Sequence, residues 1–233
     1  MAEILTQVDS AELASAADRL TVKHDGFARL LGDGRAADAS EEELRQVLRS
    51  IFSCRRHADE LIGGIGGSRL AGAIDHLLHG DDDLVERFDS FDTVLEGFPA
   101  AGFDLPGELL HFTYPERYWL WTRWMWDPRT ETGALRLVTA DEVDLIGDRR
   151  GTTYLKVGQA VAFVEATGKA VGFTAMGDGL LGIDVFLAAV YGIYMYTVLR
   201  MRMTQEFNRI VPPLPDLVLR LLGIRSMEVG TCP

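Results

Sequence analysis

Apolar residues recur at helical spacing through the first hundred positions of this chain. Leu13, Ala17, Leu20, His24, Phe27 and Leu31 fall on one face, and Gly32-Asp33-Gly34 ends the pattern. Leu44, Val47, Leu48, Ile51, Ala58 and Ile62 form a second stripe, closed by Gly63-Gly64. A third stretch runs from Arg69 to His79 and stops at Gly80. The fourth carries Leu84, Phe88, Phe91, Leu95 and Phe98 and ends before Pro99. Asp9 with Glu12, Ser40 with Glu43, and Asp83 with Glu86 have the spacing of capping boxes, in which side chains at a helix start satisfy its unpaired N–H groups. These four segments predict helices.

The second half is patterned differently. All four tryptophans fall in Tyr118-Trp119-Leu120-Trp121-Thr122-Arg123-Trp124-Met125-Trp126, just after Pro115, which suits the opening of a helical turn. A Pro/Gly loop, Asp127–Gly133, and the apolar Ala134–Val138 follow. Aromatic and β-branched residues on both sides of such a loop predict a small β-hairpin at about 118–138. Thr139 with Glu142 predicts the cap of a short helix, and Tyr154–Thr167 a further one ended by Gly168. Leu180–Leu199 holds one charge, Asp184. Its length would span a membrane, but a charge there is costly, and Met201, Met203, Phe207 and Ile210 continue an amphipathic helix. A long buried helix of a protein outside the membrane explains the segment. Pro212-Pro213-Leu214-Pro215 then leads into a last helix, Asp216–Leu222, with Gly223 as its stop. The expected fold is mainly α, a single domain over 1–233 with one hairpin.

Charge changes that picture slightly. Residues 1–110 hold 22 carboxylates against 10 Lys and Arg, so they carry the whole net charge of −12, and 111–233 sums to zero. An acidic helical lobe and a neutral mixed lobe would meet near residue 110. Excess acid makes nucleic acid an unlikely partner, since that affinity comes from neutralising phosphates. Two distant cysteines, Cys54 and Cys232, fit reduced thiols, and no signal-like segment opens the chain, so a cytoplasmic location is expected.

Several segments offer chemistry. Ile62-Gly63-Gly64-Ile65-Gly66-Gly67-Ser68-Arg69-Leu70 is glycine-rich between two helices, and Gly64, Gly66 and Arg69 would hold a phosphate on exposed N–H groups. Over about a dozen residues it resembles a helix-hairpin-helix element, with Leu70 where that motif has a small residue; the resemblance implies contact with a nucleic-acid phosphate. The alternative is that the glycines let two helices cross closely. Glu108-x-x-His111 has a spacing that turns both side chains to one helix face, as in di-metal bundles, but the chain has no second copy. His76 and His79, with Asp75 beside them and His57 on the preceding helix, form another candidate set. Surface pairs at this spacing are common, so neither a metal nor a cofactor is expected. His24, on an apolar stripe, reads as a half-buried residue bonded to a carbonyl. Cys54, in Ser53-Cys54-Arg55-Arg56-His57, reads as a buried inert thiol, with a reactive thiolate as the alternative.

The tryptophan run is core, a recognition surface, or a stacking platform. Arg117, Trp119, Trp121, Arg123, Trp124, Trp126 and Arg129 together suit aromatic and arginine anchors for a partner protein or a second copy of the chain. A non-catalytic interaction or assembly role is therefore the leading expectation. The competing one is an enzyme whose pocket lies between the Gly64–Arg69 turn, His76/His79 and Trp119–Trp126.

Overall fold

The structure, a computed structural model, describes residues 10–170, 179–202 and 212–225. Helix α1 spans Ser10–Leu31 and is followed by a 3-10 turn at Arg35–Asp38. Then come α2 (Glu41–Ser50), α3 (Ala58–Ile65), α4 (Gly67–His79), α5 (Leu84–Val94), α6 (Pro99–Gly102) and α7 (Leu105–Thr113). The second half adds α8 (Ala134–Val138), α9 (Arg150–Ala170), α10 (Gly182–Arg202) and α11 (Leu214–Leu221). The fold is mainly α.

Local signals explain most starts and stops. Ser40 and Glu43 form the reciprocal capping box at α2, and the Asp83 carboxylate accepts from the Glu86 N–H at α5. Asp9 lies outside the described residues, as do Met203, Phe207, Ile210 and Cys232. The second apolar stripe is broken, because turns over 51–57 separate α2 from α3. Gly63 and Gly64 sit inside α3, and the chain turns at Gly66 alone, where φ is +92°. Gly168 does not stop α9, which runs on to Ala170. No helix starts at Thr139, which instead closes α8.

The hairpin expected at 118–138 is absent. Among the described residues the only β pairing is an isolated bridge, Asp127 to Thr132, and no strand forms. The Met125 and Trp126 N–H groups both turn back to the Thr122 carbonyl, at 3.0 and 3.2 Å, which curls the aromatic run before it can extend. Its return segment coils into α8 instead. The β-preferring side chains are satisfied by packing rather than by a ladder, an outcome strand propensity does not exclude.

All nine residues of α7 are buried. It packs against α1, α4 and α5, so the core is built around it. The tryptophan run lies directly on it: a Cβ at Gly107 would sit 2.3 Å from the Trp121 carbonyl oxygen, so only glycine permits this approach. Leu180–Leu199 corresponds to α10, but the helix is not buried throughout: Ile183, Asp184, Val185, Leu187, Ala188 and Ala189 are buried, Phe186 is partly so, and Tyr194 is exposed. No helix of the described residues is long and apolar enough to cross a membrane.

Candidate functional site

The four tryptophans divide in two. Trp121 and Trp126 are buried completely, and Trp119 and Trp124 are half-buried. Had the segment been a strand, Trp119 would have shared a face with Trp121. The tight turn at Thr122 brings Trp121 and Trp126 together instead, and the Trp121 indole N–H donates to the Trp126 carbonyl at 2.9 Å. Trp121 stacks on Phe88 with centroids 5.8 Å apart and meets Phe103 edge-on at 5.2 Å. The Arg136 guanidinium lies 4.9 Å over Trp126. Trp119 abuts Gly158 of α9, and Trp124 faces Tyr191 of α10.

In front of this aromatic wall is a cleft of about 230 Å³. The end of α5, α6, the Trp-run loop and the start of α9 enclose it. Phe98 and Phe103 supply apolar surface, and the charged lining is balanced, Arg123, Arg129 and Arg150 against Asp92, Glu96 and Asp127. Phe103 is held between two guanidiniums, Arg123 at 4.7 Å and Arg150 at 4.6 Å from its centroid. Arg150 is tied down at its two terminal nitrogens: one pairs with Asp92 and the other donates to the Phe103 carbonyl at 2.8 Å, while its buried Nε has no partner among the described residues. Burial acts on both partners, pushing Asp92 up from the usual carboxylate range and Arg150 down. The other two arginines are less committed. Arg123 reaches only the Pro99 carbonyl, at 3.4 Å, and neither Arg123 nor Arg129 is ion-paired among the described residues.

Of the residues singled out from sequence, Arg123 and Arg129 line this cleft and Trp121 backs it. Arg117 does not; it lies over Tyr114 at 5.2 Å, beside Glu116. Gly64 touches the cleft's edge, since a Cβ there would fall 2.5 Å from the Phe98 ring. The contact is with a side chain between two helices rather than with a crossing helix, and a Cβ at Gly63 or Gly66 would meet nothing within 4 Å. Gly66 and Arg69 line neither this cleft nor the second cavity described below. Arg150 carried no signal in the sequence, because its partners lie 47 and 58 residues away.

The histidines do not converge. His76 bonds Asp82, His79 bonds Asp75 and the Tyr114 hydroxyl, and His57 bonds Glu60, all at 2.8–2.9 Å. Among the described residues no three His, Cys, Asp or Glu side chains are grouped to hold a metal. His24 is half-buried with Nδ1 2.9 Å from the Phe112 carbonyl. Cys54 is inaccessible, and burial pushes its thiol up, away from a reactive thiolate.

Glu108 and His111 point apart in purpose. The Glu108 carboxylate takes Lys23 of α1 at 2.6 Å, and His111 Nε2 lies 2.8 Å from Asp184 of α10. His111 Nδ1 donates to the Tyr118 carbonyl at 2.8 Å, so both ring nitrogens are in use. Neither side chain is left to ligate or to take a substrate proton.

Comparison with protein-family models, with curated proteins and with solved structures finds no match.

Proposed function

We propose that this chain is a non-catalytic interaction protein whose contact surface is the arginine-rimmed cleft rather than the tryptophans themselves. The observation that carries this reading is the pair Arg123 and Arg129. Both are exposed at the mouth of a partly apolar cleft, and neither is ion-paired among the described residues. Arginine beside aromatic surface is the composition of interaction hot spots. The size supports the same reading: about 230 Å³ falls short of the roughly 300–1,000 Å³ typical for whole small-molecule ligands, and suits one or two anchoring side chains. An apolar side chain beside a polar or charged one that reaches Arg123 or Arg129, on a partner protein or a second copy of this chain, fits this mixed lining. Trp121, edge-on to Phe103 at 5.2 Å and 5.3 Å from Arg150, serves as the wall that fixes both. Neither described cavity brings His76 and His79 together with the glycine turn and the tryptophans, as the enzyme reading requires.

Photo-cross-linking tests the surface. A photoreactive side chain placed at position 129 is expected to give a discrete adduct in native lysate. The same group at position 163, where Phe163 is 66% exposed on α9, is expected to give none. Native mass then separates a second copy from another protein. Adducts from position 163 and none from 129 would overturn the proposal.

A further inference from the structure

Two helix C-termini meet at a second, smaller cavity of about 60 Å³. Helix α2 ends there at Ser50, and α11 at Leu221. Four guanidiniums line it and no carboxylate does: Arg49, Arg55, Arg220 and Arg225, with Ser50 and the exposed Phe52. Gly223 closes the floor with φ +72°, and a Cβ there would come 3.1 Å from both Lys23 Nζ and the Ser50 carbonyl oxygen.

Two carboxylates answer the four arginines from outside. Asp59 takes Arg49 at 3.3 Å, while Asp216 takes Arg220 at 2.9 Å and Arg225 at 2.7 Å. Arg55 has no ion pair among the described residues; its guanidinium lies 6.0 Å from the Phe52 ring. Lys23 behind the floor is already neutralised by Glu108. Counted over the described residues, the cluster thus holds two positive charges in excess, on a chain whose net charge is −12. Cations at helix C-termini complement the helix dipole, which accounts for Arg49 and Arg220. It does not account for Arg55 and Arg225, which lie beyond the two helices. Converging like charges repel unless an anion sits among them.

We propose that this cavity is an oxyanion site for a phosphomonoester, its phosphate seated among the four arginines and its organic group lying along Phe52. A phosphomonoester carries about −1.5 to −2 at neutral pH, matching the excess charge. Guanidinium forks fit its oxygens in pairs. A water occupies roughly 30 Å³ of liquid, so the cavity admits one such head group and no larger ligand body. The site shares no lining residue with the cleft and stands independently of it.

Calorimetric titration of the full chain at fixed ionic strength tests this, with phenyl phosphate, inorganic phosphate and acetate as probes. Both phosphates are expected to bind saturably and acetate not, with phenyl phosphate several-fold tighter through Phe52. Arg55→Gln, which breaks no ion pair among the described residues, should weaken both phosphates about tenfold without moving the melting temperature. Phe52→Ala should remove the preference for the ester. Equal affinity for the two phosphates in the unaltered chain would overturn the ester assignment. Absence of saturable binding, or binding indifferent to both Arg55→Gln and Arg225→Gln, would overturn the site.

Discussion

His111 and Asp184 share a hydrogen bond of 2.8 Å where both side chains are cut off from water. One residue sits on α7, the helix buried all round, and the other in the first turn of α10. The bond therefore ties the two halves of the chain together. Three residues earlier on α7, Glu108 does the same toward α1 through Lys23, whose Nζ also donates to the Leu222 carbonyl at 3.1 Å. A spacing that resembles a metal motif is used here to pin three helices.

Removing one partner of such a pair leaves the other buried without compensation. Asp184→Ala should cost about 3–5 kcal/mol in denaturant unfolding, and Lys23→Met a similar amount through stranded Glu108. A loss under about 1 kcal/mol in both would show that the pairs do not hold the helices.

The same groups set a pH dependence. Burial opposes the charged His111 ring, but the Asp184 charge and hydrogen bond, with the Tyr118 carbonyl, outweigh it and hold its pKa above the ordinary 6.5. Burial likewise raises Glu108 above 4.5, against the pull of Lys23. In both cases the folded state keeps protons that the unfolded chain releases, so stability falls as pH rises. The His111 contribution is full below pH 6.5 and is lost upward through its raised folded value. Melting temperature should accordingly drop between pH 6 and pH 9, and Asp184→Asn should flatten that slope. A melting temperature that climbs across the interval would contradict the assignment.

Glycines separate close approach from open space. Gly107→Ala drives a methyl group into the Trp121 carbonyl and should destabilise by about 1–3 kcal/mol or more. Gly72→Ala, on an exposed face of α4 with nothing within 4 Å, should stabilise by about 0.5–1 kcal/mol. Thermal unfolding of the two variants side by side checks the contrast; equal shifts would mean the Trp run does not press on α7.

Helices announced by caps and apolar stripes were legible in the sequence: α2 from Ser40 and Glu43, α5 from Asp83, and α4 from Gly80 at its end. Helix α7 was not, because a helix buried on every side has no polar face and so no period to read. The Trp run misled for a related reason. Strand propensity measures how side chains pack on a half-buried surface, and here the curl at Thr122 buries Trp121 and Trp126 without a sheet. Arg123 and Arg129 could be singled out as candidates from their spacing among aromatics, and both line the cleft. Arg150, and the Arg49/Arg55/Arg220/Arg225 cluster, could not, since distant segments assemble them.

Charge reversal at the cleft tests the central claim most directly. Affinity for the cross-linked partner, or for self-association, should be measured for the unaltered chain, for Arg123→Glu with Arg129→Glu, and for Arg117→Glu. The double variant is expected to lose at least tenfold in affinity while remaining folded at the assay temperature; any fall in its melting temperature is expected to come from Arg123, which lies over Phe103 and near Asp104, since neither arginine is ion-paired among the described residues. Arg117, which lies outside the cleft, should have little effect. Full binding by the double variant, or a loss confined to Arg117→Glu, would contradict the account.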